Sequence, residues 1–156
     1  MGLFLANGTR RAKSALVTDT ASISDPEVLI DEDLFETRSY GKNDPKPEGS
    51  ILTLKFRAGT VVRQSQIDAL YPPATITGKY PEDDLTAGQT AAVVFTGTNL
   101  DGVTGITVGG TAATAVVVES AQQVNCTAPA KTAGTYDVVV TDDSGAVTKT
   151  GYLTYA

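Results

Sequence analysis

The sequence predicts a mainly β chain of 156 residues, with a β-sandwich in its C-terminal half. Two observations carry that expectation. From Thr75 to Tyr155, short apolar runs alternate with a period of two, the repeat that turns successive side chains to opposite faces of a strand. Glycine-bearing turns cut these runs at the spacing of a sandwich, and no helical period competes with them.

The strands follow in order. Val93 and Phe95 share one face, and Gly97-Thr98-Asn99-Leu100-Asp101-Gly102 turns the chain into Ile106 and Val108, which share another. Val116 to Val118 continues the pattern, and Val124, Cys126 and Ala128 alternate until Pro129 stops the strand. Tyr136, Val138 and Val140 lie on one face, and Asp142-Asp143-Ser144-Gly145 turns the chain into the last strand, Val147 to Tyr155. About seven short strands result.

These residues carry a family resemblance. Ile76 with Tyr80-Pro81, Ala87-Gly88-Gln89-Thr90, Phe95-Thr96-Gly97-Thr98-Asn99-Leu100, Val108-Gly109-Gly110, Val124 to Pro129, Gly134 to Val138 and Leu153-Thr154-Tyr155 resemble an IPT/TIG domain. The resemblance implies an immunoglobulin-like sandwich over residues 75–156. Gln89, where the family often has a glycine, and the acidic insert Glu82-Asp83-Asp84 depart from the pattern within one loop.

Residues 1–50 read differently. Leu3-Phe4-Leu5 forms an apolar plug, and Arg10, Arg11 and Lys13 form a basic group. Isolated apolar residues follow (Leu16-Val17, Ile23, Val28-Leu29-Ile30, Leu34-Phe35), separated by polar residues and the acidic run Asp31-Glu32-Asp33. So sparse a pattern predicts an extended N-terminal arm with little core of its own. Asn43 to Gly49 has the composition of a turn or linker. Residues 51–74 read as a small strand-plus-helix adaptor. Ile51 to Phe56 alternates as a strand, and Ser65-Gln66-Ile67-Asp68 has the form of a capping box opening a helix from Gln66 to Tyr71. That helix must end before Pro72-Pro73, which marks the domain boundary.

Composition limits the chemistry. Histidine is absent, so no imidazole is available as base or metal ligand, and one cysteine excludes an intrachain disulfide. Cys126 falls at an inward strand position and reads as a small core hydrophobe. No phosphate-binding glycine loop occurs, and without a histidine no serine has an imidazole to activate it, so catalysis is not expected, nor any cofactor. Asp83-Asp84 and Asp142-Asp143 do not form a regular calcium loop, and no metal is expected there. The net charge is −6, of which −5 falls on residues 75–156, a balance that would repel a phosphate backbone. Met1 to Ala6 is too short for a signal h-region, and Ala6 stands where a myristoylation motif wants Ser or Thr. No nucleic-acid or membrane partner is expected, and the chain reads as made and assembled in a cytoplasm.

The plan of arm, adaptor and acidic sandwich also resembles bacteriophage capsid decoration proteins. That resemblance implies a non-enzymatic virion protein in many copies on the capsid surface. Leu3, Phe4, Leu5, Arg10, Arg11 and Lys13 would then bind the major capsid protein while the sandwich projects outward. A carbohydrate-associated or cell-surface Ig-like binding module, or a tail-associated virion protein, is the alternative.

Overall fold

The computed structural model describes residues 3–16, 25–38 and 51–156, without the side chains of Ser14, Thr37, Arg38, Ile51 and Leu52. The predicted turn at 43–49, Val17 and Ile23 lie outside the described residues. The chain divides into two compact units, Met1–Pro72 and Pro73–Ala156.

Unit 1 is built from short strands that each bring little apolar surface. These are β1 (Leu3–Phe4), β2 (Glu27–Leu29), β3 (Leu34–Arg38), β4 (Ile51–Phe56) and β5 (Val61–Arg63), followed by the helix α1 (Gln64–Asp68). β3 lies between β1 and β4 in one sheet, and β2 pairs antiparallel with β5. Val28 and Val62 face each other across that second pair and point inward, while their neighbours Leu29 and Val61 stay exposed. Leu3, Leu16, Val28, Ile30 and Leu34 share one core with Val62, Ile67 and Tyr71. The expected extended arm at 1–50 and adaptor at 51–74 thus share one core among their described residues. Leu3, Leu16, Val28, Ile30 and Leu34 of the supposed arm find partners far along the same chain, which local spacing does not reveal.

The helix also starts earlier than expected. Ser65 is not its cap; the Asp25 carboxylate accepts the Ser65 backbone N–H at 2.9 Å and its hydroxyl at 2.8 Å. Gln66 reaches back so that its Oε1 accepts the Arg63 N–H at 3.0 Å. These contacts satisfy N–H groups that the first turn of a helix leaves without intrahelical partners. They also hold the Asp25 carboxyl below its ordinary range, the backbone hydrogen bond from Ser65 being the largest cause. Turns at Leu70 and Tyr71 carry the chain on to Pro72.

Unit 2 is the predicted sandwich. Its strands are β6 (Thr75–Tyr80), β7 (Ala91–Thr98), β8 (Gly105–Val108), β9 (Thr111–Ala112), β10 (Thr114–Ser120), β11 (Gln123–Ala128), β12 (Gly134–Asp142) and β13 (Gly145–Tyr155). They form two antiparallel sheets, in the orders β10-β11-β7-β6 and β13-β12-β8-β9. Val93, Phe95, Val124, Cys126 and Ala128 from the first sheet meet Ile106, Val108, Val138, Val140, Leu153 and Tyr155 from the second. Burying a side chain such as Phe95 stabilises the fold by about 1.5–3 kcal/mol. The Tyr155 ring meets Tyr136 edge-on at 5.6 Å, and its hydroxyl donates to the Pro129 carbonyl at 2.8 Å. A buried phenol thus keeps a hydrogen-bond partner. Gly97 is required by close approach, since a Cβ there would stand 1.8 Å from the Thr75 carbonyl oxygen.

Candidate functional site

The six residues predicted to bind a partner are engaged within unit 1. Leu3 has no exposed surface, and Phe4 and Leu5 are partly buried, Leu5 against the same core. Arg11 pairs with Asp31 at 2.8 Å and with Glu32, and it also donates to the Ala15 carbonyl at 3.2 Å. Lys13 pairs with Asp68 at 2.9 Å. The Arg10 guanidinium stands 5.2 Å from the centre of the Tyr71 ring, and the Tyr71 hydroxyl donates to the Arg11 carbonyl at 2.9 Å. Arg11 of the basic group and Asp31 and Glu32 of the acidic run thus meet inside one unit. One residue of the expected plug, Leu3, is core, while Phe4, Leu5, Arg10, Arg11 and Lys13 keep part of their surface exposed.

The acidic turns of unit 2 have structural work. Asp142 accepts the N–H groups of Ser144 at 2.7 Å and Gly145 at 3.0 Å, and its other oxygen accepts Ala74 N–H at 2.5 Å. The Lys79 ammonium donates to the carbonyls of Pro81 at 3.3 Å, Glu82 at 2.5 Å and Asp83 at 3.4 Å, ordering the acidic insert. Among the described residues no group of three or more His, Cys, Asp or Glu is placed to hold a metal ion. The Cys126 thiol is buried, and desolvation pushes its pKa up to about 11, which suppresses the reactive thiolate.

The outer face of the β6-β7-β11-β10 sheet carries an exposed tyrosine and a pair of amides. Inward positions alternate with outward ones, and the register sets the outward side chains in rows. Tyr80 stands opposite Val94, Val94 opposite Asn125, and Asn125 opposite Val117, so one row crosses all four strands. The next row runs from Gly78 through Thr96 and Gln123 to Ser120. Tyr80 is 70% exposed and Val117 50%. Gln123 donates its amide to Asn125 Oδ1 at 3.1 Å, and Asn125 donates to Glu119 Oε1 at 3.0 Å. That relay fixes both amides while each keeps further donor or acceptor capacity, because an amide has two N–H groups and two lone pairs. An exposed ring at one edge and a fixed pair of amides two strands away suit a ligand with one apolar face and many hydroxyl groups. None of these residues stood out as a site in the sequence; Tyr80-Pro81 figured there only as a family motif.

The architecture is that of an immunoglobulin-like sandwich. The IPT/TIG domain matches residues 74–155, just over half of the sequence, and the chain belongs to that family. No curated protein matches the sequence. Among solved structures, SGBP-B from a complex xyloglucan utilization locus in Bacteroides uniformis is similar over 99% of this chain and 41% of its own, with 14% identity and a TM-score of 0.46. The SGBP-B of a Bacteroides ovatus mixed-linkage glucan utilization locus, solved with a mixed-linkage heptasaccharide, is similar over 99% of this chain and 38% of its own, with 14% identity and a TM-score of 0.43. The chain spans about two fifths of the length of these structures. None of these comparisons supports the resemblance to bacteriophage decoration proteins.

Proposed function

We propose that this protein is a non-catalytic, carbohydrate-associated Ig-like binding module, with the sandwich of unit 2 as its working part. The observation that supports this most is the outer sheet face, where a tyrosine 70% exposed shares a row with Asn125, next to Gln123. A ring so exposed on an ordered strand contributes nothing to the core, yet it offers the apolar surface that the C–H face of a sugar packs against. The amides two strands away offer hydrogen bonds to hydroxyl groups. Membership in the IPT/TIG family fits a module of this kind, since such a sandwich is a scaffold on which function is set by the exposed site.

Cementing of a capsid rested on an apolar plug kept for the major capsid protein, and Leu3 lies inside its own unit instead. The test is affinity electrophoresis of the whole protein through gels containing soluble polysaccharides. Retarded migration in at least one polysaccharide gel, relative to a gel without it, is the expected result. Unchanged migration throughout the panel would remove the carbohydrate reading.

A further inference from the structure

Resting on that reading, we infer that the ligand is an uncharged polysaccharide segment, lying across the strands of the β6-β7-β11-β10 sheet. Tyr80 would stack on one sugar ring, and Gln123, Asn125 and Glu119 would bind the hydroxyl groups of the next.

Charge argues for a neutral chain. Of the outward residues in the paired rows and their relay, Glu119 alone is charged, and no lysine or arginine stands among them. The acidic insert Glu82-Asp83-Asp84 follows Tyr80 closely in the chain, and residues 75–156 carry three basic and eight acidic side chains. A polyanion approaching this face would meet repulsion and no compensating cation. Among the outward residues of this face a polycation would find one carboxylate, already hydrogen-bonded to Asn125.

Geometry argues for a chain over a single sugar. With strands about 4.8 Å apart, the row from Tyr80 to Val117 spans about 14 Å. The ring stands at one end of that row and the amides toward the other, so one sugar cannot use both. Val94, between them, and Val117 at the far edge give the row apolar ground on which C–H faces can rest. The amide relay is held before binding, which lowers the ordering cost that weak sugar contacts must offset.

Isothermal titration calorimetry on the whole protein tests this, using hydroxyethyl cellulose and galactomannan as neutral probes and polygalacturonate as the acidic one. Wild type is expected to bind at least one neutral probe and to leave polygalacturonate unbound. Tyr80→Ala should weaken that binding about tenfold or more, as loss of an aromatic anchor does, while Tyr80→Phe retains it. Asn125→Ala should weaken it too, and both variants should melt as wild type does, because neither side chain is in the core. Binding of a neutral probe that neither variant changes would place the ligand elsewhere and overturn this inference alone. Preference for polygalacturonate would overturn the neutral-chain assignment. Failure of wild type to bind any probe would sink the carbohydrate reading together with the site.

Discussion

In the sandwich, β7, β8, β12 and β13 each bring two inward side chains to the core and β11 brings three. In unit 1, β1, β2, β3, β5 and α1 bring about one apiece, and the remainder comes from Leu16, Ile30 and Tyr71 between or beyond them. Both units bury their large apolar groups, but by different routes. The sandwich repeats a local pattern until a sheet face is continuous. Unit 1 gathers single residues from positions far apart, and supports them with side-chain contacts such as Asp25 to Ser65 and Arg11 to Asp31. A core of the first kind announces itself in the sequence. One of the second kind exists only after the chain has closed.

Removing one large group from each core should sharpen that contrast. Phe95→Ala is expected to have the largest effect, about 3–5 kcal/mol, because Phe95 is fully buried between the sheets. Hydrogen exchange should report the loss across β6 to β13 and leave unit 1 unchanged. Leu3→Ala comes next, at about 2–5 kcal/mol. It should raise exchange in β1, β3 and the segment around Ile67 and Tyr71, in the free protein and without any partner. Normal protection in the Leu3→Ala protein would restore the view of Leu3 as an unengaged plug.

These two sites also mark how far the sequence could be read. Phe95 was recognisable as core because Val93 lies two residues before it and β11 repeats the same alternation at Val124, Cys126 and Ala128. Leu3 was not, since its neighbours in the core come from residues as distant as Val62, Ile67 and Tyr71. The helix start was displaced for a like reason: the carboxylate that serves Ser65 belongs to Asp25, forty residues earlier. The candidate face was hidden by topology. Tyr80 joins Asn125 in one row only because β7 lies between β6 and β11, an order that no local pattern specifies.

Acid should separate the units by charge. Asp25 has a carboxyl held below its ordinary 3.8 by the hydrogen bonds from Ser65. A depressed folded-state pKa contributes stability that is present above the unfolded value and lost as pH falls through the folded one. The advantage of wild type over Asp25→Ala in the melting of unit 1 should therefore be full above the ordinary carboxylate value and shrink as pH falls below it. The sandwich should melt identically in the two proteins at every pH. A difference between them that stays constant across this range would mean that Asp25 acts through packing and not through its charge.

The smallest effect is expected at Lys13 and Asp68. Their ammonium and carboxylate are 2.9 Å apart, but the side chains keep 23% and 49% of their surface exposed. Burial pushes the Asp68 pKa up, yet the hydrogen bonds from Lys13 and Gln64, with the Lys13 charge, hold it below its ordinary value overall. Partly exposed ion pairs of this kind contribute about 0–1 kcal/mol, because water screens the charges and two long side chains must be held in place. Lys13→Ala should accordingly shift the melting of unit 1 slightly, while an NMR titration shows the Asp68 pKa moving up. Gln64 still donates to Asp68 at 2.7 Å in that variant, so the upward shift should be partial. Destabilisation beyond about 2 kcal/mol would put the pair among the interactions that define unit 1, on a level with its apolar residues. An unmoved Asp68 pKa would instead show that the two groups are not paired in solution.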